Sequence, residues 1–355
     1  MKHKQSTNTF ATTIGSRRHP AYEARARMIP VPPRLDMHPK SKFHLSDEIK
    51  LFVNVLRAAL REQTLLLFSS RGRLKPELLA IVLIALWPKK LRPTIVLYGE
   101  MYEPNPGIRF VVERWLMKLV DRVVARYAVH SRAERNIFAN VWGIDPAKIR
   151  LAHVFYNSQR HVPAPLDGPA DSHIFAGGNS LRDYEPLLAA ARQLPGYQFI
   201  ISTTVLEGRQ DLPPNVKTGM VKHDEFVQLM RTAAAVVVPL RRGLRRAAGM
   251  LTYMEAMWLK KPVIVSDALA VDEYIQNGET GLVVDGSPEG YVKALRWVLD
   301  PANAEQVAQL GSNAQEAIRE KFSLDQYTSE ILAVVDEAMA EQAAPPSFIG
   351  TASRV

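Results

Sequence analysis

The chain has 355 residues, 47% hydrophobic and 23% charged, with no cysteine. That composition suits about two globular domains and excludes global disorder, a disulfide scaffold, thiolate catalysis and Cys-ligated zinc or iron–sulfur clusters. The net charge of +9 is uneven: residues 1–165 hold 28 basic and 12 acidic side chains, an excess of +16, and residues 166–355 hold 17 and 24, an excess of −7. A basic first half points to a polyanionic partner, an anionic membrane surface or nucleic acid, with a solvated basic face as the plain alternative.

Residues 1–44 are polar, basic and poor in periodic apolar positions. They read as a tail with a short strand at Met28–Val31. No apolar run follows Met1-Lys2-His3-Lys4, so no secretory leader is expected. A domain over 45–162 then alternates helices and strands. Helical spacing of Leu51, Val55, Leu56 and Ala59 predicts a helix over Asp47–Arg61. Strand Thr64–Phe68, helix Glu77–Leu86, strand Thr94–Tyr98 and helix Ile108–Val120 follow, then strand Arg122–Val129, helix Arg132–Val141 and strand Ile149–Phe155. The longest apolar run, Leu78–Trp87, would rise about 15 Å as a helix, half of what a bilayer core requires. It is a buried helix or one that dips into an interface, the latter favoured by the flanking Arg71, Arg73, Lys75, Lys89, Lys90 and Arg92.

Pro163, Pro165, Gly168 and Pro169 mark a linker over 163–170. A second alternating series fills 171–335: strands at His173–Ala176, Gln198–Ile201, Val216–Gly219, Ala235–Pro239, Val263–Ser266 and Gly281–Val284, with helices between them. A helix end and tail occupy 336–355. Such alternation implies parallel sheets with helices on both faces, hence an α/β chain of two doubly wound, Rossmann-like domains. Ligands of such sheets bind beyond the strands' carboxyl ends, and two such domains are expected to face a central cleft.

The strongest local signal lies between Pro239 and Ser266. After a strand comes the basic loop Arg241, Arg242, Gly243, Leu244, Arg245, Arg246, and Ala248-Gly249 then opens a helix. A glycine at a helix start lets a ligand approach unpaired N–H groups, and the helix dipole there favours an anion. The arginines strengthen the case for a diphosphate. Glu255, two turns in, is placed to accept hydrogen bonds from a ribose diol. The plain alternative is a buried helix beside a solvated loop.

The run from Pro239 to Val284, with Glu255-Ala256-Met257, Lys261-Pro262-Val263-Ile264-Val265-Ser266 and Asp272-Glu273-Tyr274-Ile275-Gln276-Asn277-Gly278-Glu279-Thr280-Gly281, resembles the nucleotide-sugar site of the retaining GT-B glycosyltransferases. The likeness extends weakly over 170–335 and is faint in the first half. It implies a GT-B fold and transfer of a sugar from a nucleoside-diphosphate donor to a lipid-linked or polysaccharide acceptor, with no metal or other cofactor. It implies donor-binding roles for Gly177, Gly178, Gly249, Met250, Leu251 and Glu255. Arg182 and the cluster Arg241–Arg246, Arg245 and Arg246 foremost, are expected to stabilise the leaving diphosphate. Two positions depart from the pattern: Ala247 stands where the first Glu of a Glu-x7-Glu pair is usual, and Asn179 where Arg is usual. In the first half the usual strand with a Gly-rich turn is not recognisable.

Glu100, after strand Thr94–Tyr98, and His130, ending the next strand, are candidates to bind acceptor or orient the reacting sugar. The alternative for each is structural. No Asp-x-Asp pair or His/carboxylate cluster suggests a metal, and no helix-turn-helix, zinc-finger or RNA-recognition signature supports nucleic-acid binding. The expected setting is the cytoplasm, at the inner face of a membrane. Two other readings stay open: a donor-binding subunit without activity, and a nucleotide-sugar 2-epimerase.

Overall fold

The computed structural model describes residues 9–15, 19–37, 44–69, 71–99, 103–104, 107–157 and 173–343. The chain divides into two compact units: residues 1–129, 135–152 and 328–355 form the first, and residues 130–134 and 153–327 the second. The expected linker and Glu100 lie outside the described residues.

The first unit is built on strands β1 (Phe10–Thr12), β2 (Ala26–Met28), β3 (Thr64–Phe68), β4 (Thr94–Tyr98), β5 (Val124–Val129) and β6 (Ile149–Leu151), all parallel, in the order β2-β1-β3-β4-β5-β6. Its central strands are apolar without alternation because both faces are covered. Leu65, Leu66 and Leu67 are fully buried beside Ile95, Val96 and Leu97. The helices Leu45–Ala59 and Pro76–Ile84 supply Leu51, Val55, Ile81 and Ile84 to the same core.

The described part of residues 1–44 corrects the expected tail. It adds β1 and β2 to the sheet, and the strand expected at Met28–Val31 ends at Met28. Phe10 and Tyr22 are fully buried and meet edge to face at 5.6 Å, and the Thr12 hydroxyl pairs with the Tyr22 hydroxyl at 3.3 Å. Strand β1 runs into Thr13, Ile14 and Gly15, so the strand with a glycine after it exists although its sequence did not stand out.

The last helix, Leu324–Ala343, groups with the first unit from Thr328 onward, whereas the second domain was expected to run to residue 335. Charge explains part of the attachment. Arg126 meets Glu337 at 3.1 Å and Glu341 at 2.6 Å, Arg150 donates to Glu337, and Arg25 to Asp336. These partly exposed pairs contribute little stability singly, but they return acidic groups to the basic first unit.

The second unit holds β7 (Ile174–Gly177), β8 (Phe199–Ser202), β9 (Val216–Thr218), β10 (Ala235–Val238), β11 (Val263–Ser266) and β12 (Leu282–Val284), parallel, in the order β12-β11-β10-β7-β8-β9. One face packs the helices Met250–Trp258 and Ala304–Lys321 through Met254, Met257, Ala314 and Ile318. The other packs Glu185–Arg192 and Pro288–Leu299 through Leu187, Leu188, Tyr291 and Leu295. The chain winds away in opposite directions from β7 and β10, which are neighbours. Their carboxyl ends therefore border the switch point where ligands of this architecture bind.

Candidate donor site

After β7 the chain turns through Gly177 and Gly178. A Cβ on Gly177 would lie 2.4 Å from the Phe226 ring, and Gly178 has φ +107, a conformation that favours glycine. The Gly178 carbonyl accepts from the Tyr184 hydroxyl at 2.7 Å and the Thr203 hydroxyl at 3.1 Å. Arg182 folds back under this turn. Its Nε donates to the Gly177 carbonyl at 3.3 Å, one Nη to the Ser180 carbonyl at 2.9 Å and the other to Thr252 Oγ1 at 3.2 Å. It is 8% exposed, and burial pulls its guanidinium below the ordinary arginine value. A cation is thus fixed between the β7 turn and the first turn of helix Met250–Trp258.

That helix begins at Gly249, in the left-handed region at φ +81, with no side chain capping it. A Cβ there would lie 3.1 Å from Leu240 and Val238 and 3.5 Å from the Arg182 guanidinium. Met250 is buried and Leu251 exposed. Arg246 reaches the same turn, donating to Ser180 Oγ at 2.9 Å, and Arg245 is exposed beside it. Arg242 points elsewhere, donating to the Asp285 carbonyl and lying 3.9 Å from its carboxylate. The basic loop is therefore not one cluster. Glu255 sits six residues past Gly249, about 9 Å along the axis, and is buried. Burial pushes its carboxyl up, opposed by the nearby His223 and by Tyr156. Fixed cations, an uncapped helix start and a buried carboxylate one helical stretch away form an anion cradle with a polar anchor beyond it.

Residues 201–301 match the family model described as glycosyl transferases group 1. A D-inositol 3-phosphate glycosyltransferase of Acidothermus cellulolyticus is 23% identical over 67% of this chain and 58% of its own. The lipopolysaccharide core biosynthesis mannosyltransferase LpcC of Rhizobium leguminosarum bv. viciae is 40% identical over 26% of each. The chain therefore spans less than two thirds of these curated relatives. Anabaena HepE, solved in complex with UDP-glucose, superposes with a TM-score of 0.63 at 16% identity over 94% of this chain and 99% of that one. Residues 201–301 thus carry the sequence pattern of the group 1 glycosyltransferases. The chain's two six-stranded parallel sheets are the GT-B fold.

The matched stretch contains Arg245, Arg246, Gly249, Met250, Leu251 and Glu255, and the fold brings Gly177, Gly178 and Arg182 to them. Asn179 is structural: its Oδ1 accepts from the Thr203 hydroxyl at 2.7 Å and the Thr204 N–H at 2.8 Å. His130 is 3% exposed and groups with the second unit, its carbonyl accepting from the Tyr274 hydroxyl at 2.6 Å. Two glutamates, Glu134 and Glu273, have contacts that the sequence did not announce. Glu273 accepts from the N–H groups of Arg132 and Ala133 at 2.8 and 2.9 Å. Glu134, 1% exposed, accepts from the N–H of His130 at 3.0 Å and of Ala247 at 3.3 Å. The signal for Glu134 was its Ser-x-x-Glu spacing from Ser131, whose Oγ accepts from the Glu134 N–H at 3.1 Å, as in a capping box. Among the described residues no three His, Cys, Asp or Glu side chains gather as a metal site would need, and no helix is long and apolar enough to cross a membrane.

Proposed function

We propose that the chain is a glycosyltransferase that moves a sugar from a nucleoside-diphosphate donor to a lipid-linked or polysaccharide acceptor, with retention. One observation carries the reading: Gly178, Arg182, Arg246 and the uncapped start of helix Met250–Trp258 converge at the switch point of the second sheet. The diphosphate takes the cradle, and its charge as leaving group is met by guanidinium groups and the helix dipole, with no metal required. Glu255 accepts from the ribose hydroxyls. The UDP-glucose complex of HepE, on the same fold, supports a nucleotide-sugar donor. Arg245→Ala/Arg246→Ala is expected to weaken binding of UDP, GDP or ADP by tenfold or more, since a hydrogen bond to a charged group contributes about 1.5–3 kcal/mol. Isothermal titration checks this, and unchanged affinity would remove the diphosphate clamp.

An exposed apolar and basic face of the first unit supports contact with a membrane that carries the acceptor. Helix Ile108–Asp121 leaves Ile108, Val111, Val112 and Trp115 exposed at helical spacing, beside the exposed Arg109, Arg114 and Lys118. This pattern suits an anionic interface. The Leu78–Trp87 segment is a mixed case: Leu78, Ala80, Ile81 and Ile84 are buried, while Leu79, Leu83 and Leu86 are exposed. The protein is expected to co-sediment with anionic liposomes at low salt and to release at high salt. Protein left in the supernatant at low salt would reduce the excess charge to a solvated surface.

A further inference from the structure

We infer that Glu134 is a positioning residue of the donor site, an inference that rests on the donor reading above. The segment 130–134 leaves β5 and groups with the second unit. It is pinned there by Glu273 on the N–H groups of Arg132 and Ala133, and by the Tyr274 hydroxyl on the His130 carbonyl. Glu134 extends this brace to the donor loop. One carboxylate oxygen accepts from the His130 N–H, one residue before the Ser131 N–H that a capping box would use. The other accepts from the Ala247 N–H, 113 residues away in sequence.

Ala247 directly follows Arg246 and lies two residues before Gly249. Its backbone therefore sets both where Arg246 leaves the chain and how the helix start presents its N–H groups. Ala247 brings no side-chain polar group of its own and is 3% exposed. A buried carboxylate is costly to desolvate, and its negative charge opposes a diphosphate. Its orientation toward two backbone N–H groups marks it as a holder of the loop, not as a ligand for the donor.

The test uses the full chain and four probes: UDP and UMP, with GDP and GMP as the alternative base. Glu134→Gln keeps the size but turns an N–H donor toward one of the two backbone N–H groups. Glu134→Asp keeps the charge but is a methylene too short to hold both. Both variants are expected to weaken the diphosphate roughly tenfold while the monophosphate changes little, so that the gap between the two narrows. A general loss of structure would weaken both nucleotides alike, and that result overturns the inference, as does wild-type diphosphate affinity in either folded variant. Should Glu134→Gln fail to fold, Glu134→Asp decides. If the wild-type protein binds none of the four probes, the donor reading fails and takes this inference with it. If it binds and the variants bind equally, only the inference fails.

Discussion

Replacing Arg182 with alanine is expected to lower kcat for sugar transfer by two to three orders of magnitude. The size follows from where the group sits. Its three hydrogen bonds, to Gly177, Ser180 and Thr252, fix the guanidinium between the β7 turn and the start of helix Met250–Trp258 before any ligand arrives. Burial lowers its pKa, yet a guanidinium stays charged at neutral pH. A preorganised cation needs no rearrangement as charge develops on the leaving diphosphate, and removing one such group costs about 10²–10³ in kcat. Arg182→Lys keeps the charge, but one ammonium cannot replace a planar fork with three acceptors, so only partial activity should return. Single-turnover transfer or donor hydrolysis measures this. An alanine variant within a few-fold of wild type would show that the leaving group departs elsewhere.

The second large effect belongs to Glu255→Gln, which should raise the donor Kd by about tenfold to a hundredfold. A ribose diol presents two donors, and an ionised carboxylate accepts both; a carboxamide offers one acceptor and one mismatched N–H₂. The pH dependence has a definite sign. Burial holds the Glu255 carboxyl above the usual carboxylate value, with His223 and Tyr156 opposing. The carboxylate is the binding form, so affinity is full at higher pH and is lost as pH falls through the raised pKa. Loss should thus begin at a higher pH than an ordinary glutamate would give. The glutamine variant should lack this component, and the difference between the two profiles cancels the ligand's own phosphate titration. Identical profiles would dissociate Glu255 from the ribose.

Much of this was legible in the sequence, and the failures have physical causes. Strands β3, β4 and β11 carry the expected limits because burial on both faces makes each an unbroken apolar run. Strands β1 and β2 have three residues each, too few to show a period among the surrounding Arg, His and Thr. Periodicity located the final helix but could not say which unit it packs on. That depended on Arg25, Arg126 and Arg150 meeting Asp336, Glu337 and Glu341. The charge asymmetry was real in sequence and is softened in space by the same pairs.

At the site, Gly249 stood out as a glycine opening a helix and Gly178 and Arg182 through the resemblance, and the fold brings the three together. Composition alone could not reveal the direction of each arginine: Arg246 turns to Ser180, while Arg242 turns to Asp285. The contacts of Glu134 and Glu273 stayed hidden because their partners are 113 and about 140 residues away. Only the local capping pattern hinted at Glu134, and it accounts for the Ser131 hydroxyl on the Glu134 N–H, not for the carboxylate's contacts with His130 and Ala247.

The central claim, that the β7–β10 switch point holds a nucleoside-diphosphate sugar, is tested most directly by thermal unfolding of the full chain with UDP-, GDP- and ADP-sugars. A ligand at a hundred times its Kd stabilises a protein by about 2.7 kcal/mol. At least one donor should raise the melting temperature by a few degrees, and Arg182→Ala should remove that rise. A wild-type melting temperature unmoved by every sugar nucleotide at millimolar concentration would contradict it.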